Sequence, residues 1–158
     1  MKKIAFFLIA LILFAVNLTT AQSKQKAEKE FLGQLNNILK NSTTQHWAYE
    51  GKMTIDSAFA INARGVLSVT VKYATDTSVI RARMEAPVSQ IKGVAYDLYL
   101  ILEYTDEVVT MFYSESEGSE LKETGKSHLF HIGEPKKGGS DKQEKLQKAL
   151  DNLLNYYH

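Results

Sequence analysis

Apolar residues follow two different periods along this chain, and the points at which the period changes restrict the fold more than any other feature. Between Met53 and Tyr73, apolar and polar residues alternate, which indicates strands that bury one face. Before and after the central part of the chain, apolar residues recur every three or four positions, which indicates amphipathic helices. The chain is therefore predicted to have a helix at each end and strands between them.

Both terminal helices are predicted from their apolar stripes. The first helix runs from about Ser23 to Asn41, and its stripe consists of Ala27, Phe31, Leu35, Ile38 and Leu39. The second helix has the strongest periodicity of the sequence, in a stripe of Leu146, Ala149, Leu150, Leu153, Leu154 and Tyr157. Ser140 and Gln143 precede this second stripe at the spacing of a capping box, which predicts where the helix begins.

The strands between the helices are predicted to pair as antiparallel hairpins. The first hairpin turns at residues 63–65, and a third strand ends at Pro87 because proline cannot donate a hydrogen bond to a neighbouring strand. A second hairpin is predicted to join residues 96–104 to residues 108–114 through a turn at residues 105–107. This pairing places Leu100 opposite Tyr113, and Leu102 opposite Met111. A short last strand is expected at residues 128–132.

Together these elements predict an α+β fold. The prediction has an N-terminal helix, an antiparallel sheet of about six strands, and a C-terminal helix packed on the sheet. No repeat and no proline-rich linker interrupts the sequence, which has only 2 prolines. A single domain is therefore expected.

The first 21 residues have the features of a secretory signal peptide. Lys2 and Lys3 precede an uncharged apolar run at residues 4–16, and Thr19 and Ala21 provide the small side chains that a signal peptidase reads. A membrane anchor is the alternative, but the run is shorter than the roughly 20 residues that a helix needs to cross a bilayer. We expect residues 1–21 to be removed and residues 22–158 to form one domain with no integral membrane segment.

The absence of cysteine restricts how the exported domain is stabilised and where it is found. Small secreted domains often depend on disulfides, which this chain cannot form. An exported domain without cysteine fits a bacterial periplasm better than a eukaryotic secretory pathway. We therefore expect a periplasmic or secreted protein that depends on one apolar core.

Motifs that would indicate catalysis or cofactor binding are missing from the sequence. There is no G-x-S-x-G elbow and no H-E-x-x-H pair. The glycines that follow Gly133 resemble a phosphate-binding loop, but Gly139 stands where that loop needs its lysine. His128 and His131 would lie on opposite faces of a strand, which argues against a shared metal ion. The sequence therefore predicts a protein that is not an enzyme, with no metal and no cofactor.

Acidic residues are concentrated in one part of the chain. Between Glu103 and Glu123 there are seven carboxylates and only one lysine, Lys122. A charge run of this kind is usually a solvated surface. It would repel phosphate groups, so nucleic acid is not expected as a partner.

Three large apolar side chains form the predicted binding site. In the second hairpin, Tyr99, Ile101 and Phe112 would share the side opposite Leu100 and Leu102. An antiparallel sheet needs only one apolar face to fold, so a second apolar face requires either a covering helix or a binding partner. Tyr99, Ile101 and Phe112 are therefore the candidate binding residues.

The functional prediction that follows is an exported, non-catalytic binding protein. Its partner would be an apolar small molecule or another envelope protein, held by the sheet and its helices. The order of elements resembles in outline that of periplasmic carriers that hold an apolar ligand between a curved sheet and helices. Two alternatives remain: a structural accessory subunit of an envelope complex, and an enzyme of unrecognised type that uses carboxylates and a histidine. An enclosed apolar cavity would favour a carrier.

Overall fold

A computed structural model describes residues 2–42, 52–74, 79–114, 116, 118–135 and 137–157, with side chains described from residue 21 onward except that of residue 52. It contains two α-helices and eight strands in these ranges. In chain order they are α1 (Lys2–Lys40), β1 (Lys52–Ile61), β2 (Val66–Ala74), β3 (Val79–Pro87), β4 (Ile91–Asp97), β5 (Tyr99–Tyr104), β6 (Val109–Ser114), β7 (Lys122–Ser127), β8 (Leu129–Gly133) and α2 (Gly139–Leu154). The predicted α+β class is confirmed, with eight strands rather than about six.

The eight strands form two antiparallel sheets. The large sheet has the order β1-β2-β3-β6-β7, and the small sheet has the order β4-β5-β8. The two strands that were not predicted are β4 and β7. The sequence of β7, Lys-Glu-Thr-Gly-Lys-Ser, has no large apolar residue, so apolar alternation does not predict this strand. Such polar strands are common at sheet edges, where they discourage pairing with other chains.

The two sheets are halves of one antiparallel meander. β3 continues into β4 through a short 3₁₀ turn at Val88–Gln90, β5 continues into β6 through residues 105–108, and β7 continues into β8 across His128. Because β3, β6 and β7 pair in the same order as β4, β5 and β8, three long neighbouring strands are interrupted at the same level. These three interruptions separate the large sheet from the small sheet.

The predicted hairpin of β5 with β6 is wrong. β5 pairs with β4 and β8, whereas β6 pairs with β3 and β7. Leu100 lies opposite Tyr96 and Gly133, not opposite Tyr113. The chain reverses at Leu98 instead, which has a φ of 63° and is 74% exposed. A leucine is an unusual residue for this left-handed conformation, so no turn motif marks the position in the sequence.

The core lies between the helices and the sheets. α1 contributes Phe31 and Leu35, and α2 contributes Leu146, Leu150 and Leu153, all of which are fully buried. Burying one such side chain stabilises the fold by roughly 1.5–3 kcal/mol. α1 and α2 contact each other, α2 also packs on β4 and β5, and α1 contacts β1 and β8. The predicted apolar stripes of both helices therefore face the core.

The opposite face of the large sheet is polar, as expected for an antiparallel sheet with one solvated side. Asp56 forms ion pairs with Lys72 at 3.0 Å and with Arg81 at 3.1 Å. The hydrogen bond from Lys72 is the main reason that the pKa of Asp56 is lowered. This cluster lies on three neighbouring strands and stays partly exposed to solvent.

α2 begins differently from the prediction. Its N-cap is Gly138, with a φ of 66° and no side-chain hydrogen bond to the helix, so the capping box of Ser140 and Gln143 is wrong. Gln143 and Gln147 instead bind the edge of the small sheet. Gln143 Nε2 donates to the carbonyl of Val94 at 2.9 Å, and the Val94 amide donates to Gln147 Oε1 at 2.8 Å. Among the described strands β4 is at the edge of the small sheet, so these two bonds use backbone groups that are left open there.

The C-terminal end of the chain attaches to the middle of α1. The Tyr157 hydroxyl donates a 2.6 Å hydrogen bond to Glu28 Oε1, and Lys24 Nζ lies 4.1 Å from the centre of the Tyr157 ring. The same ring packs against Gly65 in the β1–β2 turn, where a Cβ would lie 2.8 Å from it. Burial, followed by the contact with Glu28, raises the pKa of Tyr157. Tyr157 therefore connects three parts of the fold.

The predicted leader and the first amphipathic segment lie in one continuous helix, α1. This continuity neither supports nor contradicts removal of residues 1–21, which stays a prediction. From residue 21 onward, the structure contains no helix that is long and apolar enough to cross a membrane.

Candidate functional site

A partly enclosed pocket lies where the large sheet, the small sheet and the end of α1 meet. Its volume is about 60 Å³, whereas a single water molecule needs roughly 10–15 Å³ by this measure. The pocket therefore has room for several water-sized groups, whereas a benzene ring, which fits a cavity of roughly 150 Å³, requires the wall to move outward. Most of its wall is apolar, and the main contributors are Leu39, Met53, Val69, Val71, Met84 and Ile132.

The pairing register of the large sheet explains why a depression exists at this place. Val71 lies opposite Ala82, and Ala82 lies opposite Tyr113 on the next strand. The three side chains therefore form a row across β2, β3 and β6, with the smallest side chain in the middle. Because a methyl group lies between two larger neighbours, space remains above the sheet at Ala82. The row of three side chains forms the floor of the pocket.

Four side chains with polar groups also line the pocket: Tyr73, Tyr99, Tyr113 and His131. They come from both sheets, with Tyr73 on β2, Tyr113 on β6, Tyr99 on β5 and His131 on β8. Tyr99 and His131 are in edge-to-face contact, with ring centres 6.0 Å apart and an interplanar angle of 81°. We call these four residues the tyrosine–histidine cluster.

Burial controls the ionisation of Tyr73 and His131 within this cluster. The pKa of Tyr73 is raised, mainly by burial and additionally by repulsion from the nearby Tyr113 and Tyr99. The pKa of His131 is lowered by burial. Both shifts favour the uncharged form, because a charge loses hydration in this environment. At neutral pH, Tyr73 and His131 are therefore uncharged.

Two further lining residues are already engaged in contacts that support the fold. The Arg83 guanidinium donates two hydrogen bonds to Glu85 Oε2, from Nε at 3.2 Å and from Nη2 at 2.8 Å. Ser42 Oγ accepts a 3.0 Å hydrogen bond from the amide of Glu134, which attaches the end of α1 to the chain after β8. The polar lining thus consists of these two residues and the tyrosine–histidine cluster, whose members also take part in interactions within the protein.

The three residues predicted as a binding surface do not lie together. Tyr99 lines the pocket, whereas Ile101 is only 8% exposed and lies opposite Ala95 and His131. Phe112 is in the other sheet, half-buried opposite Arg83. The common face expected for these residues is wrong because β5 and β6 are not paired. Whether any of the three binds a partner stays a prediction.

The position of Tyr73 is the one feature of the sequence that indicates the cluster. Tyr73 continues the alternation of Val69 and Val71 on β2, so it points to the same side as these buried valines. A buried tyrosine hydroxyl usually has a hydrogen-bond partner. A tyrosine in a row of aliphatic inward positions therefore indicates that other polar groups lie nearby in the interior. His131 is predicted from the sequence to be an ordinary polar or half-buried histidine of a strand, which does not indicate the cluster. Within the described ranges, no group of three His, Cys, Asp or Glu residues could hold a metal ion.

Comparison with known proteins provides no relative from which a role for the pocket could be inferred. No family model matches the chain, and neither a curated protein nor a solved structure matches it.

Proposed function

We propose that this chain is an exported, non-catalytic binding protein that holds a small apolar ligand in the pocket between its two sheets. The observation that carries the proposal is the pocket itself, which is lined by aliphatic and methionine side chains around Ala82. Ligand sites are typically concave and apolar, with a few polar groups that orient the ligand. The pocket has this composition.

The chemistry of the wall supports binding rather than catalysis. Arg83 is held by Glu85, and Ser42 is held by the amide of Glu134, so neither is arranged as a catalytic group. Met53 and Met84 are unbranched and flexible, which lets the wall adjust to ligands of different shape. A ligand would gain affinity mainly by removing its apolar surface from water.

Site-resolved NMR titration tests the proposal with alkylbenzenes from benzene to propylbenzene as probes. Toluene is expected to shift the amide signals of the pocket floor, at Val71 and Ala82, in a saturable manner. Each methylene that becomes buried adds about 0.8 kcal/mol, or about fourfold in affinity, until the chain leaves the pocket. Titrations in which no probe shifts these signals would contradict the proposal.

A pair of matched variants shows whether binding occurs at this place. Ala82→Leu adds bulk to the pocket floor and is expected to weaken toluene binding at least tenfold. Ala60→Leu makes the same change at an exposed position on β1 and is expected to leave binding unchanged. Equal affinities of the two variants for toluene would place the binding site elsewhere.

Export is tested separately by the mature N-terminus. Mass spectrometry of the protein from cells is expected to find Gln22 as the first residue, because Ala21 and Thr19 fit the signal peptidase rule. Retention of Met1 on most of the protein would contradict export by this route. It would not affect the test of ligand binding.

A further inference from the structure

The tyrosine–histidine cluster forms the polar part of the pocket wall, which a polar group of the ligand would contact. Three phenol groups and one imidazole reach the same pocket from four strands of both sheets. Each of them already takes part in an interaction within the protein. A phenol hydroxyl can donate one hydrogen bond and accept two, and a ligand hydroxyl or carbonyl would share this capacity with the existing interactions.

The wall of the pocket is poorly suited to a charged ligand. Among the lining residues that the structure describes, Arg83 is the one permanently charged side chain, and its guanidinium is paired with Glu85. A ligand carboxylate would compete with Glu85 for this cation, and a ligand ammonium would have no carboxylate in the described wall to face. Moving a charge from water into such a site is unfavourable without a partner.

The environment of the pocket favours the uncharged forms of the protein's own ionisable groups. Burial opposes the anion of Tyr73, whose pKa is raised, and the cation of His131, whose pKa is lowered. The two groups differ in the sign of their charge, so one local charge cannot explain both effects. Loss of hydration explains both, and it would act on a charged ligand group as well.

We propose that the pocket selects an uncharged ligand with a hydroxyl or carbonyl group, which the tyrosine–histidine cluster binds by hydrogen bonds while the aliphatic wall covers the rest. This inference rests on the proposed function, since it describes the ligand of the same pocket. It adds the polarity of the ligand, which the apolar wall alone does not determine. The natural ligand would accordingly belong to the class of alcohols, phenols, ketones or amides.

Four probes with the same ring separate charge from hydrogen bonding. They are toluene, benzyl alcohol, benzoate and benzylammonium, titrated at pH 7.5 into the full chain with the Val71 and Ala82 amides as the readout. Benzyl alcohol is expected to bind at least tenfold more tightly than benzoate and benzylammonium. It is also expected to bind at least as tightly as toluene, although its hydroxyl is better hydrated in water.

Each outcome of this titration has a defined meaning. A less than tenfold preference over either charged probe overturns the inference, and so does weaker binding of benzyl alcohol than of toluene. In both cases saturable binding of toluene would leave the proposed function intact. If no neutral probe binds, the proposed function fails and this inference fails with it.

Tyrosine variants test the role of the hydroxyl groups without changing the shape of the wall. We expect at least one of Tyr73→Phe, Tyr99→Phe and Tyr113→Phe to weaken benzyl alcohol at least fivefold while changing toluene affinity less than twofold. Tyr156→Phe is the matched control, because Tyr156 lies after α2 and outside the pocket wall. If all three variants bind benzyl alcohol as the wild type does, recognition by the phenols is overturned.

Discussion

Replacement of Gln147 by methionine is expected to weaken the attachment of α2 to the edge of the small sheet. Methionine keeps the length and helix propensity of the side chain but removes the amide oxygen that accepts the 2.8 Å hydrogen bond from the Val94 amide. Val94 is only 8% exposed, so water cannot easily replace the lost partner. Leaving a buried amide without a partner costs about 1–3 kcal/mol.

Gln143 forms the second hydrogen bond of this contact, so its replacement measures the separate contribution of that bond to the free energy of unfolding. Gln143→Met removes the 2.9 Å bond to the Val94 carbonyl and is expected to cost about 0.5–1.5 kcal/mol. Both bonds hold the same residue, so the double variant should be non-additive. Glu144→Met changes an exposed position between them and is expected to stay within about 0.5 kcal/mol of the wild type.

Urea unfolding and hydrogen exchange together measure this effect. A loss of 1 kcal/mol moves the urea midpoint by roughly 0.3–1 M, because the unfolding free energy falls by about 1–3 kcal/mol per M of urea, so the loss in Gln147→Met is well above experimental error. Exchange of the Val94 amide should become faster in Gln147→Met and stay unchanged in Glu144→Met. If Gln147→Met unfolds like Glu144→Met and Val94 remains protected, the side chain does not hold this edge.

Four further predictions concern the core and the titrating groups. Leu150→Ala in the centre of the α2 stripe, where Leu150 is 0% exposed, should cost about 2–5 kcal/mol in urea unfolding. Ile101→Ala should also lose at least about 2 kcal/mol, whereas Ile55→Ala, at a position that is 41% exposed, should lose much less; equal losses would contradict the assigned burial. The Tyr104 hydroxyl is buried without a hydrogen-bond partner in the described residues, so Tyr104→Phe should raise the unfolding free energy by about 1 kcal/mol. A decrease would show that this hydroxyl forms a hydrogen bond outside the described residues. Burial lowers the pKa of His131 below 6.5, so its stabilising contribution is present above pH 6.5 and is lost as the pH falls through the folded-state pKa; this pH dependence should disappear in His131→Gln.

The helices could be predicted from the sequence because their evidence is local. The spacing of Leu146, Leu150 and Leu153 places them on one side of a helix whatever the rest of the chain does, and all three are fully buried. The start of α2 was less predictable. Gln143 has the spacing of a capping residue, but it binds Val94, which lies 49 residues away in the chain.

Strand alternation indicates which residues share a face, but it does not specify the neighbouring strand. Residues 105–107 have a turn-like composition, yet they only interrupt a long strand, and the reversal occurs at Leu98. The binding surface of Tyr99, Ile101 and Phe112 depended on the wrong reversal. Because the chain reverses at Leu98 and not at residues 105–107, Phe112 lies in a different sheet from the other two residues.

The sequence by itself determined the α+β class and the core positions of both helices, because hydrophobic periodicity depends on residues close together in the chain. Only the tertiary structure decided which strands are neighbours, and therefore where Ala82 leaves a space between Val71 and Tyr113. It also decided that Tyr99 and His131 meet the large sheet across that space. A pocket depends on the relative placement of distant segments, and this placement results from the packing of the whole chain, which no local pattern encodes.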